Sequence, residues 1–187
     1  WLAYYDQTAA AFQFVNPATG AQSSFDNATG EPGSWSADGS RYSVPDISYT
    51  QGGAVTPEYF SQLISYDPVT GQRSELTRDN RMEDLLPAYS PDGRQLVFAR
   101  RFLNPQNWTP GRQIWAMNVD GTNVRPLTKT GVINHLGFAW SPDGSLLAYL
   151  QLNTASFSGQ RQLLLMDMAS GVTQQAMMNA YNLHWLP

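Results

Sequence analysis

Apolar residues in this chain come in short alternating runs, such as Leu96-Val-Phe98 and Leu147-Ala-Tyr149, bounded by Gly, Pro, Asn or Asp. A period of two places alternate side chains on opposite faces of a pleated strand. Fifteen Gly and twelve Pro interrupt the chain too often for long helices, while six Trp, nine Tyr and eight Phe suit half-buried, pleated surfaces. The predicted class is all-β.

A repeat organises these runs. Three segments share a nine-residue frame: Trp35-Ser-Ala-Asp-Gly-Ser-Arg-Tyr-Ser43, Tyr89-Ser-Pro-Asp-Gly-Arg-Gln-Leu-Val97 and Trp140-Ser-Pro-Asp-Gly-Ser-Leu-Leu-Ala148. Each reads as a hairpin in which Pro presets φ, Asp bonds downstream amides and Gly takes the positive-φ position that closes the turn. A second hairpin follows in each unit, at Leu63 to Gly71, Ile114 to Gly121 and Leu163 to Gly171, and a further one runs from Phe12 to Gly20. In two units the returning strand ends in Leu-Thr, at Leu76-Thr77 and Leu127-Thr128. The aromatic positions 35, 89, 140 and 185 are 54, 51 and 45 residues apart, near the ~40 to 50 residues of one propeller blade. The chain therefore reads as one β-propeller domain over residues 1–187, with four blade-like repeats of four antiparallel strands at about 1–33, 34–87, 88–138 and 139–184.

Aromatic-Ser-Pro-Asp-Gly, a Leu-Ala-Tyr strand, Asp-x-x-Thr-Gly and Leu-Thr together resemble the repeat of TolB-like propellers, a WD40-like architecture, over nearly the whole chain. The first frame departs from it, with Ala37 for Pro, and Pro45 is expected to end the following strand early. Trp1-Leu-Ala-Tyr4 aligns with Leu146-Leu-Ala-Tyr149, and His184 to Pro187 aligns with a first strand, so residues 185–187 are expected to pair back toward the N-terminal blade. Four blades closing alone, at the lower limit of known rings, compete with a segment of a larger ring. The start at Trp1 rather than Met reads as a processed or excised piece. The resemblance implies a protein or peptide partner and a periplasmic or extracellular setting. The alternative is the propeller part of a prolyl-oligopeptidase-like hydrolase, followed by a polysaccharide-active enzyme, because propellers host many functions.

Charge and residue types narrow the chemistry. The net charge is −4 and the eleven Lys and Arg residues are scattered, so no basic stripe for nucleic acid is expected. No apolar run approaches the ~20 residues that span a bilayer as a helix. With no Cys and only His135 and His184, thiol chemistry, Cys-bound zinc and His-rich metal sites are not predicted, and no cofactor is. Gly-x-Ser-x-Gly and His-Glu-x-x-His are both absent, so no catalytic residue is assigned. Asp38, Asp92 and Asp143 recur in the same turn and read as turn supports rather than catalytic acids; Asn118 to Asn123 reads as a hairpin turn rather than a calcium loop. Glu83-Asp84, the one adjacent Glu-Asp pair, has the wrong spacing for opposed acid and base. Asn27-Ala-Thr and Asn107-Trp-Thr match the glycosylation acceptor pattern by short motif alone.

Loop lengths point to one face. The hairpin turns are short, so the face they form is expected to be plain. The opposite face receives the long connections Asp46–Ser61, Arg100–Gln113 and Gln151–Gln162 and the inter-blade stretch Arg78–Pro87. These carry the interface-prone residues Tyr49, Tyr59, Phe60, Arg78, Arg81, Arg100, Arg101, Phe102, Trp108 and Arg112, with Phe157, Arg161, Glu83 and Asp84, and His135 follows in the next loop. The competing role for each is to tack its loop to the scaffold. The sequence leaves oligomeric state open.

Overall fold

The computed structural model describes residues 1–49, 59–154, 159–183 and 185, and among them there is no helix. The first sheet has three antiparallel strands, β1 (Leu2–Asp6), β2 (Ala11–Val15) and β3 (Gln22–Asp26). The second has β4 (Ser34–Trp35), β5 (Tyr42–Tyr49), β6 (Tyr59–Tyr66) and β7 (Arg73–Glu75). The third has β8 (Met82–Tyr89), β9 (Gln95–Phe102), β10 (Gln113–Asn118) and β11 (Arg125–Pro126). The fourth has β12 (Ile133–Trp140), β13 (Leu146–Asn153), β14 (Gln162–Asp167) and β15 (Thr173–Met178). Strands neighbour one another in chain order, and one parallel bridge, Ser61 to Glu83, ties the second sheet to the third.

The three repeat turns close in the same way. Ser36, Ser90 and Ser141 each donate a 2.6 Å hydrogen bond from Oγ to the Asp two residues on. The same Asp accepts the amide of Ser40, Arg94 or Ser145 at 3.0 Å. Gly39, Gly93 and Gly144 sit at φ 69°, 69° and 72°, a region that L side chains avoid. The Leu-Thr motif has an equally local cause. Thr77 and Thr128 accept the amides of Leu63 and Ile114 on Oγ1 at 2.9 Å, while Leu76 and Leu127 donate their own amides to the carbonyls of those residues at 2.8 Å. The motif thus terminates the outer ladder with its buried polar groups paired.

Successive sheets face one another across three cores. Phe12, Phe14, Tyr42, Val44, Ile64 and Tyr66 fill the first junction. Leu63, Leu96, Phe98 and Met117 fill the second, and Val97, Ile114, Ala116, Leu147, Tyr149, Leu164 and Met166 the third. The repeat aromatics occupy equivalent places at these junctions. Trp140 Nε1 donates to the Ala88 carbonyl at 3.2 Å and Trp185 Nε1 to the Ala139 carbonyl at 2.9 Å, in each case the residue before the preceding aromatic. Tyr89 instead shares a 2.6 Å hydrogen bond with Ser43 through its hydroxyl, and Trp35 lies edge-on to Phe14. Residues 184, 186 and 187 lie outside the described part, and with them the expected pairing toward the N-terminal blade; Trp185 itself bonds to the fourth sheet.

Two sequence expectations are corrected. Pro45 does not end its strand, because β5 runs on to Tyr49. Its cross-strand partner Leu63 spends its amide and carbonyl on Thr77 and Leu76, so the Pro45–Leu63 pair exchanges no hydrogen bonds. Pro45 faces the other way, past the end of the two-residue β4, where its carbonyl accepts Asn27 Nδ2 at 2.9 Å and no N–H is required. The stretch Arg78–Pro87 is mostly strand rather than connection, since β8 begins at Met82, seven residues before the aromatic; β12 does the same at Ile133. Its Glu83 and Asp84 side chains are buried, which hides the alternation.

Candidate binding face

Antiparallel order puts the turns after β4, β6, β8, β10, β12 and β14 at one end of the sheets and the longer connections at the other. At the long-connection end, β8 carries Glu83 and Asp84 into the interior, and both are buried. A buried carboxylate persists as an ion only when charged donors saturate it. Arg100 on β9 does so for Asp84, in a two-pronged pair with Nε to Oδ1 at 2.7 Å and Nη2 to Oδ2 at 2.8 Å. Burial pushes the Asp84 carboxyl up, and Arg100 opposes that push. The Arg100 guanidinium also lies over the rings of Phe98 and Trp115, 5.0 and 4.9 Å from their centroids.

Glu83 is shared. Arg112 donates Nε to Oε2 at 2.8 Å, and Arg101 donates Nη2 to Oε1 and to the Tyr59 hydroxyl, both at 3.1 Å. Three arginines therefore meet two carboxylates, leaving one excess positive charge in the network. The Arg101 and Arg112 side chains remain 20% and 23% exposed, and among the described residues the Arg112 Nη groups have no partner. Behind them His135, 2% exposed, donates Nδ1–H to the Arg112 carbonyl at 2.7 Å and packs against Tyr149. Burial pushes the His135 imidazole below its ordinary value and favours the neutral ring.

The structure thus brings Tyr59, Arg101 and Arg112 together around Glu83. Arg100 and His135, expected at a surface, are buried and bonded within the fold. Arg78 and Arg81 stand apart, paired locally with Glu75 and Asp79. Phe102 lies edge-on to Trp115, and Phe60 is half-buried in β6. Trp108, 56% exposed in the β9–β10 connection, is a large aromatic that this end presents to solvent. Tyr49 pairs with Tyr59 in the ladder but its side chain lies outside the described part, as do residues 50–58 and Phe157. Arg161 stacks on Tyr181 instead. Asn27 is buried with its amide committed to Pro45 and to the Gly30 amide, so it is not presented as a glycosylation acceptor. Among the described residues no three His, Cys, Asp or Glu side chains gather around one metal position.

Sequence reasoning passed over the role of the acidic pair, which anchors three arginines; two adjacent acids inside a strand-length segment were the available signal. The short-turn end is also not plain. Crevices of about 590 and 120 Å³ open there between the second and third and between the third and fourth sheets.

No family model matches the chain, and no curated protein matches it in sequence. Solved structures are similar to it. A protein assigned as TolB from Agrobacterium tumefaciens aligns at 21% identity and TM-score 0.61 over 93% of this chain and 63% of its own. An oligogalacturonate lyase in complex with manganese aligns at 19% and 0.65, over 94% of this chain and 50% of its own. Prolyl endopeptidases align at 11% and 0.63, over 88% of this chain and 24% of their own. The shared property is the fold, a TolB-like β-propeller architecture, and the chain spans less than two thirds of each of these proteins.

Proposed function

We propose that this chain is a non-catalytic propeller scaffold that binds a protein or peptide partner through its long-connection end, in a periplasmic or extracellular setting. The observation that carries this reading is the Glu83 network, in which two partly exposed guanidiniums share one buried carboxylate, at the same end of the sheets whose β9–β10 connection exposes Trp108. Arg and Trp so placed are suited to anchoring a carboxylate-bearing segment, because their fixed geometry lowers the ordering cost of contact.

Selection of displayed peptides on the chain, followed by titration into variants, tests it. Arg112→Ala leaves Arg101 on Glu83, and Trp108→Ala removes an exposed ring, so both should fold. Selected peptides should lose about tenfold in affinity on either variant, with unchanged circular dichroism. Peptides that bind both variants as tightly as the parent chain sink the proposal. A second reading, the propeller part of a larger prolyl-oligopeptidase-like or polysaccharide-active enzyme, is supported by the likeness to prolyl endopeptidases and the lyase. A hydrolase domain encoded in the same reading frame would favour it.

A further inference from the structure

The two crevices at the short-turn end are the same place in consecutive repeats. Strand pairing aligns Ala37 with Pro91, Tyr89 with Trp140, Val119 with Met168 and Ser74 with Arg125. At each position the larger residue belongs to the third–fourth junction, where Arg125 also reaches across to Gln95 at 3.1 Å. Four smaller side chains therefore leave about 590 Å³ at the second–third junction against about 120 Å³ at its counterpart. The larger volume lies within the ~300 to 1,000 Å³ of small-molecule sites.

Its lining has two chemistries. Ala37, Leu76, Val119 and the Tyr89 ring make an apolar wall, while Asp38, Glu75, Asp92 and Asp120 surround it with Arg41 as the lone cation. Arg41 leans to Asp67 at 3.8 Å. Hydrogen bonds from Ser36 and Ser40 hold the Asp38 carboxyl down to about 2, and those from Ser90 and Thr122 lower Asp92 and Asp120, so the rim stays ionised. Asp92 and Asp120 spend only Oδ1 on their turns. Ser65, 6% exposed, lines the same space, and its Oγ has no hydrogen-bond partner among the described residues. That oxygen is not fully enclosed, so the hydroxyl can meet a polar group that enters the crevice.

We propose that this crevice binds an organic cation carried on an aliphatic stem, the chemistry shared by the lysine or arginine side chain of a partner peptide and by a free diamine. The stem lies along Leu76 and Val119, and the cation meets the carboxylate rim and Ser65. The site is separate from the Glu83 network at the opposite end of the sheets and stands or falls independently of it.

Titration of the ¹⁵N-labelled chain at low salt with N-acetyl-lysine amide, 1,5-diaminopentane and the uncharged N-acetyl-norleucine amide tests this. Saturable shifts of the Ser65, Ser74 and Val119 amides with either cation at roughly millimolar concentration, and none with norleucine amide, are expected. Tighter binding of the lysine amide assigns the site to a peptide side chain, and tighter binding of the diamine to a free amine. Ser74→Arg and Val119→Met, which install the residues of the other junction, should each weaken the response about tenfold. If one fails to give the parent circular dichroism spectrum, the other carries the comparison. Equal response to norleucine amide, no saturable response to either cation, or undiminished binding by a folded refilled variant overturns the proposal.

Discussion

The second–third and third–fourth junctions are built on one repeat frame and differ in what fills it. At the third–fourth junction Trp140, Met168 and Arg125 close the short-turn end, and the long-connection end is held by neutral contacts of Asn134 and His135 with Arg112. At the second–third junction Tyr89, Val119 and Ser74 leave the short-turn end open, and the other end is lined by ion pairs within the third sheet, to which Tyr59 and Ser61 of the second sheet bond. Even the register agrees, since Asp84 faces Arg100 where His135 faces Gln151. A turn and a ladder are thus specified by a few residues, while neighbouring positions are free to make one junction packed and the next polar and hollow.

Asp84→Ala should open the widest gap between the two junctions. It leaves Arg100 buried without its counter-ion and should cost about 3–5 kcal/mol in urea unfolding, against about 1–3 kcal/mol for His135→Ala, which removes a neutral hydrogen bond. Equal losses would mean that the ionic junction is no more dependent on its pair than the neutral one. Trp140→Tyr copies the open junction into the packed one. It removes the indole bond to Ala88 and some volume, for an expected loss of about 1–2 kcal/mol, with a larger crevice in a crystal structure. Ala37→Pro moves in the opposite direction. The Ala37 amide makes no hydrogen bond among the described residues and both sister turns hold Pro there, so stability should rise by about 0.4–1 kcal/mol.

The smallest effect should be the same at both junctions, because the turns themselves are the same. Asp38 and Asp143 are held at about 2 against an ordinary 3.8. A carboxyl lowered on folding adds stability that is complete above the ordinary value and is lost as pH falls through the folded one. The unfolding midpoint should therefore drop between pH 3.8 and about 2, and Asp38→Asn and Asp143→Asn should each flatten that drop to a similar degree. Unequal flattening would show that the hollow junction perturbs its turn.

These contrasts explain what could be read beforehand. The Asp-Gly turns were legible because only certain residues bond and bend that way, and Trp140 and Tyr89 were legible as inter-sheet aromatics by their position in the frame. Glu83 and Asp84 obscured the start of β8, since a strand that buries ion pairs lacks an apolar alternation. Pro45 misled because its permissive surroundings come from β4 being two residues long, a tertiary fact. The crevice escaped notice because Ser74, Val119 and Ala37 signal it only by lacking bulk, which becomes visible when each is set against Arg125, Met168 and Pro91.

The indole bonds have an evolutionary consequence. Each of the later repeats offers a donor backward and a main-chain acceptor forward, as Trp140 does to Ala88 and Trp185 to Ala139. A gene segment encoding residues 90–140, duplicated in tandem, would insert a sheet whose indole finds the Ala139 carbonyl already waiting and whose own carbonyl serves the next. Sheet number in such a lineage can change by a single recombination event, without inventing a new contact.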